Sequence, residues 1–324
     1  MSVTFQHWQQ RIGRQRDWVW RGWQTRYTYI RAQGGSIPSS STPLILLHGF
    51  GASIGHWRHN LAALSQHHTV YALDLVGFGA SEKKLTNYNV ELWVAQVYDF
   101  WRVFIQQPVV LIGNSIGSLV CLAAAAAHPE MAQGVVMLSL PDPSVREESM
   151  PRLIRPIIAA VERSFTSPLF LGTLFYIVRR PKIVRPWAAI AYADPAAVTE
   201  ELLEILLAPA QDRGSAQAFC AILKSMTGTQ FGPSVKSLLP TLEIPLLLMW
   251  GKQDRMIPYS PARQFTGYNP NLQLLELDNA GHCLHDECPE RVNQEILSWI
   301  TTWSTRVSDK QTGSRTAVVV NDPH

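Results

Sequence analysis

The chain has 324 residues, of which 46% are hydrophobic and 16% charged, with a formal net charge of +3. That length and apolar share suit an ordered globular protein with a sizeable core, and so mild a charge argues against a dedicated nucleic-acid binder. Four cysteines without paired-ligand spacing, an N-terminal stretch lacking an apolar secretory core and no apolar run of membrane-spanning length predict a cytoplasmic protein.

Residues 26–31 alternate as an early antiparallel strand would, and residues 43–47 form a short, wholly apolar run of the kind buried on both faces of a sheet. A helical stretch over 56–64 leads to a strand at 69–73, which a glycine-rich loop leaves at 74–81. Residues 89–106 predict a long amphipathic helix, and 108–112 another buried strand. That strand runs into Gly113-Asn114-Ser115-Ile116-Gly117, followed by helix-forming residues 118–127. Strand, G-x-S-x-G turn and helix make up the setting of a nucleophile elbow, in which a strained turn holds the serine hydroxyl at the N-terminus of a helix. A strand at 134–140 comes next.

The alternation then stops. Residues 141–211 read as a helical cap inserted into the sheet, rich in Ile, Leu, Phe and Trp and punctuated by prolines. Its apolar segment 169–177 suits either a pocket for a long isoprenoid or acyl chain or a face docked on a membrane, and its cations outnumber its acids. A core helix is expected over 216–226, strands at 245–250 and 272–277, and a last helix over 289–303. Residues 1–140 and 212–303 thus form the core, 141–211 the cap, and the polar stretch 304–324 a flexible tail. Strands alternating with helices mean an α/β class with a mostly parallel central sheet flanked by helices.

A serine nucleophile needs a base, and His282 directly follows the last predicted strand, where an open α/β sheet gathers its active-site groups. His285 is the alternative. The imidazole needs a carboxylate to fix its tautomer, and Asp254 lies just beyond the strand at 245–250, with Asp142 as the runner-up. The amides of Ile116, after the nucleophile, and Phe50, in the loop His48-Gly49-Phe50-Gly51, are the candidates for an oxyanion hole, with His48 bracing that loop. Cys283, His282, His285 and Cys288 lie close together, but no second ligand pair accompanies them, so neither a metal nor an organic cofactor is expected.

From about Arg21 to Trp303 the chain resembles the α/β-hydrolase fold superfamily. The pieces that carry the resemblance are His48 to Gly51, Asp74 with Gly77 to Ser81, the elbow, Trp250 to Asp254 and Gly281-His282. The order Ser115, Asp254, His282 is the one that fold uses. Within the superfamily, Gly-Asn-Ser-Ile-Gly and residues 280–290 resemble the pheophytinase and chlorophyll-dephytylase-like hydrolases of photosynthetic organisms. That likeness implies cleavage of a phytyl ester at the face of a photosynthetic membrane. The expectation is therefore a serine hydrolase that cleaves an apolar small-molecule carboxylic ester, the phytyl ester of a chlorophyll derivative or another long-chain ester, through an acyl-enzyme, with a peripheral membrane contact through the cap and no nucleic-acid partner. A C–C bond hydrolase of ring-cleavage products and a non-catalytic binding protein of the same fold are the alternatives. The oligomeric state stays open.

Overall fold

In the computed structural model the described residues are 7–33, 41–144, 173, 175–177, 179–228 and 230–315, with side chains described as far as 303. Eight strands form one sheet: β1 (Gln15–Trp20), β2 (Trp23–Ile30), β3 (Leu44–Leu47), β4 (Val70–Leu73), β5 (Val109–Asn114), β6 (Ala132–Leu138), β7 (Leu246–Gly251) and β8 (Leu272–Leu277), in spatial order β1-β2-β4-β3-β5-β6-β7-β8. The β1/β2 and β2/β4 pairs are antiparallel and every other pair is parallel. The longer helices are α1 (Val90–Phe104), α2 (Ile116–Ala127), α3 (Pro181–Ile190), α4 (Glu200–Leu207), α5 (Ser215–Met226) and α6 (Pro289–Arg315).

The apolar runs behave as two-faced strands. In β3, Ile45 and Leu47 join one core with Leu111 of β5 and Leu248 of β7, while Leu44 and Leu46 join the other with Val110 and Leu247. Successive side chains point to opposite faces, so a strand covered on both sides must be apolar at every position. Burial of each such leucine or isoleucine contributes about 1.5–3 kcal/mol. The helix α1 is capped by Asn89, whose side chain accepts from the Leu92 amide at 2.9 Å.

Two elements differ from the sequence expectation. β1 was not anticipated, because Gln15–Trp20 is polar at its start and sits at the edge of the sheet, where one face needs no apolar residue. The last helix runs to Arg315 instead of giving way to a tail after 303. Extending an existing helix fixes one residue per added bond, so a polar sequence without proline continues it easily. The cap positions Leu169, Phe170, Leu171, Leu174, Arg152, Arg155 and Arg163, and the tail 316–324, lie outside the described residues.

Candidate active site

Parallel order places the carboxyl ends of β3, β5, β6, β7 and β8 along one rim, and every candidate residue lies just beyond one of them. Ser115 follows β5 and precedes α2 with φ 55° and ψ −121°. A side chain held in that left-handed region costs on the order of 1–3 kcal/mol, which the surroundings must offset. They do so by close packing. A Cβ on Gly113 would overlap the Gly117 backbone, and one on Gly117 would overlap the Leu47 carbonyl. Ser118 closes the turn, its hydroxyl donating to the Gly113 carbonyl at 2.7 Å and accepting from the Leu138 amide at 2.9 Å.

His282 sits in the loop after β8, and its Nδ1 lies 2.8 Å from Asp254 Oδ2. The other Asp254 oxygen accepts from the Met256 and Ile257 amides at 2.8 and 2.9 Å. The Asp254 side chain is wholly buried, and these bonds are what makes a carboxylate tolerable there. With the carboxylate as acceptor, Nδ1 carries a proton and Nε2 is left as the basic nitrogen.

The two alternatives go elsewhere. Asp142 accepts from the amides of Ser144, at 2.9 Å, and Val235, at 3.3 Å. His285 is fully buried between the rings of Trp57 and His56, and among the described residues neither ring nitrogen has a hydrogen-bond partner. Burial, reinforced by His56 and Arg58, holds it well below the ordinary histidine range and therefore neutral.

The loop after β3 lies against the elbow. A Cβ on Gly49 would stand 2.8 Å from Asn114 Oδ1 and 3.2 Å from the Ser115 Cβ, so only glycine fits. His48 is buried and pushed down by that burial, with Asp74 opposing. Its Nε2 accepts from the Leu75 amide at 3.1 Å, tying the β3 loop to the β4 loop. Among the described residues, neither the Phe50 nor the Ile116 amide donates to another group of the chain. The Phe50 ring packs on Phe78 and Phe219 and faces a cavity of about 70 Å³ shared with Phe175, Leu206 and Ile222.

Sequence reasoning missed the groups that hold the histidine loop. The Asn114 side-chain amide and the Ser139 hydroxyl both donate to the His282 carbonyl at 3.1 Å. Ala191, just past α3, accepts from the His282 amide at 2.7 Å. Glu287 accepts from Gly281 N at 2.7 Å and from Asp194 N at 2.8 Å, while Arg255 donates to the Ala189 and Tyr192 carbonyls. Tyr192 donates to Asp286 Oδ2 at 2.7 Å and lies 3.0 Å from His56 Nε2. Ser139 and Asn114 stand at strand ends in the sequence, which was the one available signal. The long-range partners carry no local pattern. Among the described residues no group of three or more His, Cys, Asp or Glu side chains is arranged to hold a metal ion.

A profile described as the alpha/beta hydrolase fold matches residues 42–289. The chain belongs to that family. It is 28% identical over 276 residues to the dihydrolipoyllysine-residue acetyltransferase component of the acetoin cleaving system of Pseudomonas putida, covering 85% of this chain and 66% of that one. It is 23% identical over 316 residues to the chloroplastic pheophytinase of Arabidopsis thaliana, covering 86% and 65%. The chain thus spans slightly less than two thirds of either relative. Among solved structures, a membrane phospholipase A described as a bacterial virulence factor superposes with a TM-score of 0.71 at 23% identity, over 91% of this chain and 88% of that one. Pheophytinase is a distant homologue among many differently named relatives of this family.

Proposed function

We propose that the chain is a serine hydrolase of carboxylic esters. Ser115 attacks the ester carbonyl while His282 Nε2 takes its proton, and Asp254 steadies the imidazolium that forms. The Phe50 and Ile116 amides hold the developing oxyanion, and losing one such donor costs about 3 kcal/mol of barrier. His282 then protonates the departing alcohol and activates water to release the acid. In this reading residues 141–211 act as the cap that selects substrate. The likeness to pheophytinase and to a membrane phospholipase A supports a long-chain or phytyl ester with one apolar side, and the aromatic cavity beside Phe50 supports an apolar group next to the oxyanion site.

The observation that carries the reading is a serine held at φ 55° on a strand–helix turn, in a chain whose His282 has its Nδ1 bonded to a buried carboxylate. A fluorophosphonate probe tests it. The wild type is expected to label and Ser115→Ala is not. A folded wild-type protein that takes no label would leave a non-catalytic binder. A hydrolysis screen over p-nitrophenyl esters of rising chain length and a phytylated chlorin, read by product mass, then places the substrate. Release of phytol supports the narrow reading, and turnover of short acyl esters alone retires it.

A further inference from the structure

The helix α3 is built the wrong way round for a surface helix. Its inner face carries Val184 and Ala188, one turn apart, which pack with Tyr192, Val198 and Leu202 in a small separate core. At 100° per residue the opposite face carries Ile183, Pro186, Trp187 and Ile190. Trp187 is 66% exposed and Ile190 39%, and Tyr176 and Ile177, one turn before the helix, are also exposed. A surface helix ordinarily turns charge outward, so four apolar residues on its outer face require an account.

The charges carried by this stretch of the chain have one sign. Residues 164–193 contain no aspartate or glutamate, and all four of their ionisable cations, Arg179, Arg180, Lys182 and Arg185, fall beside or on α3. Arg185 pairs with Glu200, and Arg179 lies 4.4 Å over the Tyr176 ring while donating to the Ala210 carbonyl. Arg180 and Lys182 are exposed at the start of the helix and have no carboxylate partner among the described residues.

We propose that the outer face of α3 is a docking surface for an anionic lipid bilayer. Trp187 and Ile190 enter the boundary between headgroups and acyl chains, while Arg180 and Lys182 meet lipid phosphates at its edge. A tryptophan suits that depth because its body is apolar and its ring N–H still finds a hydrogen bond. Cations without a carboxylate partner among the described residues favour a negatively charged surface over a neutral one. The same helix leads into Ala191, whose carbonyl holds the His282 amide, and its Ala189 carbonyl accepts from Arg255, beside exposed Met256. A bilayer seated on α3 therefore lies next to the loops of the candidate site, where an apolar ester could pass from lipid to cap. The docking itself does not depend on the hydrolytic reading, because it is measured without turnover.

The test is co-sedimentation of the full chain with vesicles of phosphatidylcholine, alone or with about 30% phosphatidylglycerol, at about 0.1 and 0.5 M salt. Binding to the anionic vesicles at low salt, released by high salt and weak on neutral vesicles, is expected. Arg180→Glu with Lys182→Glu should weaken it by roughly thirtyfold or more, given about 1 kcal/mol for each cation near an anionic surface. Trp187→Ser with Ile190→Ser should weaken it by about tenfold, with the melting temperature unchanged in both variants. No binding, equal binding to neutral vesicles, or binding that survives both substitutions overturns the proposal. So does a dimer in sedimentation velocity that Trp187→Ser abolishes, since a second copy would then cover the face. A fall of several degrees in melting temperature for Trp187→Ser also overturns it, by making the residue part of the core.

Discussion

Asn114 and His282, 168 positions apart in the chain, are joined by a hydrogen bond of 3.1 Å from the Asn114 side-chain amide to the His282 main-chain carbonyl. The residue before the candidate nucleophile thus holds the backbone of the candidate base, and Ser139 shares the same acceptor. Two donors on one carbonyl fix the loop more tightly than either alone.

Asn114→Ala and Ser139→Ala are each expected to lower kcat/KM on a soluble ester by about tenfold, close to the 1.4 kcal/mol of one such bond. The double variant should lose less than the product of the two if they act as a unit. Steady-state kinetics with thermal melts checks this. Unchanged kinetics in both single variants would show that the loop is held by other contacts.

Asp254→Asn tests the pairing of the acid and the base. An amide oxygen can still accept at Nδ1, but its NH₂ group can instead donate there and favour the wrong tautomer. A loss in kcat of about 10³- to 10⁴-fold is expected, with slower fluorophosphonate labelling and a melting temperature within a few degrees of wild type. Asp142→Asn should leave kcat near wild type, because Asp142 bonds to Ser144 and Val235 instead. The opposite pattern would move the acid to Asp142.

Most of the sheet could be read from the chain because strands buried on both faces have to be apolar throughout, as Leu44–Leu47 and Leu246–Gly251 are. The elbow was legible for a related reason: two glycines at fixed spacing are demanded by contacts with the backbones of Gly117 and Leu47. Asp254 could be favoured over Asp142 only by its position in the sequence, since both follow strands. The bonds that distinguish them come from the loop geometry. Tyr192, Arg255 and Glu287 escaped notice because their partners are carbonyls and amides of distant loops, and main-chain groups have no residue type to betray them. The edge strand β1 escaped because an edge tolerates almost any pattern.

Below neutral pH the protein should lose stability through its buried histidines. Burial pushes His56 down to about 4, with Asp286 opposing and Arg58 assisting. Above pH 6.5 His56 is neutral in both folded and unfolded chains and has no effect. As pH falls from 6.5 towards 4 the unfolded chain takes up a proton that the folded chain does not, so the folded state is penalised by roughly 3 kcal/mol by the lower limit. His48, His59, His68 and His285 are displaced in the same direction and add to the slope. His56→Gln preserves an acceptor or donor for the Tyr192 hydroxyl and removes the titration. Urea midpoints taken from pH 7 to pH 4.5 should fall less steeply in the variant than in wild type. Parallel curves would mean that His56 is protonated in the folded protein.

The strongest constraint on the histidine loop comes from the segment after α3. Gly281 lies so close to it that a Cβ would stand 2.6 Å from the Ala191 carbonyl oxygen and 2.7 Å from the Ala193 amide nitrogen. Both neighbours are main chain and neither can rotate away. Gly281→Ala must therefore push the segment and the loop apart, lengthening the 2.7 Å bond from His282 N to Ala191 O and the paired bonds of Glu287. Overpacking of this kind costs about 1–3 kcal/mol of stability, and a shift of about 1 Å in a reacting group costs about a hundredfold in rate. The loss in kcat should consequently exceed what the fall in stability explains, and KM should move less than kcat. Glu287→Gln, which keeps a single acceptor oxygen in place of two, should show the same split at smaller size. If Gly281→Ala melted several degrees lower yet kept wild-type kcat, the contact would serve to hold the segment down and would have no part in aiming the imidazole.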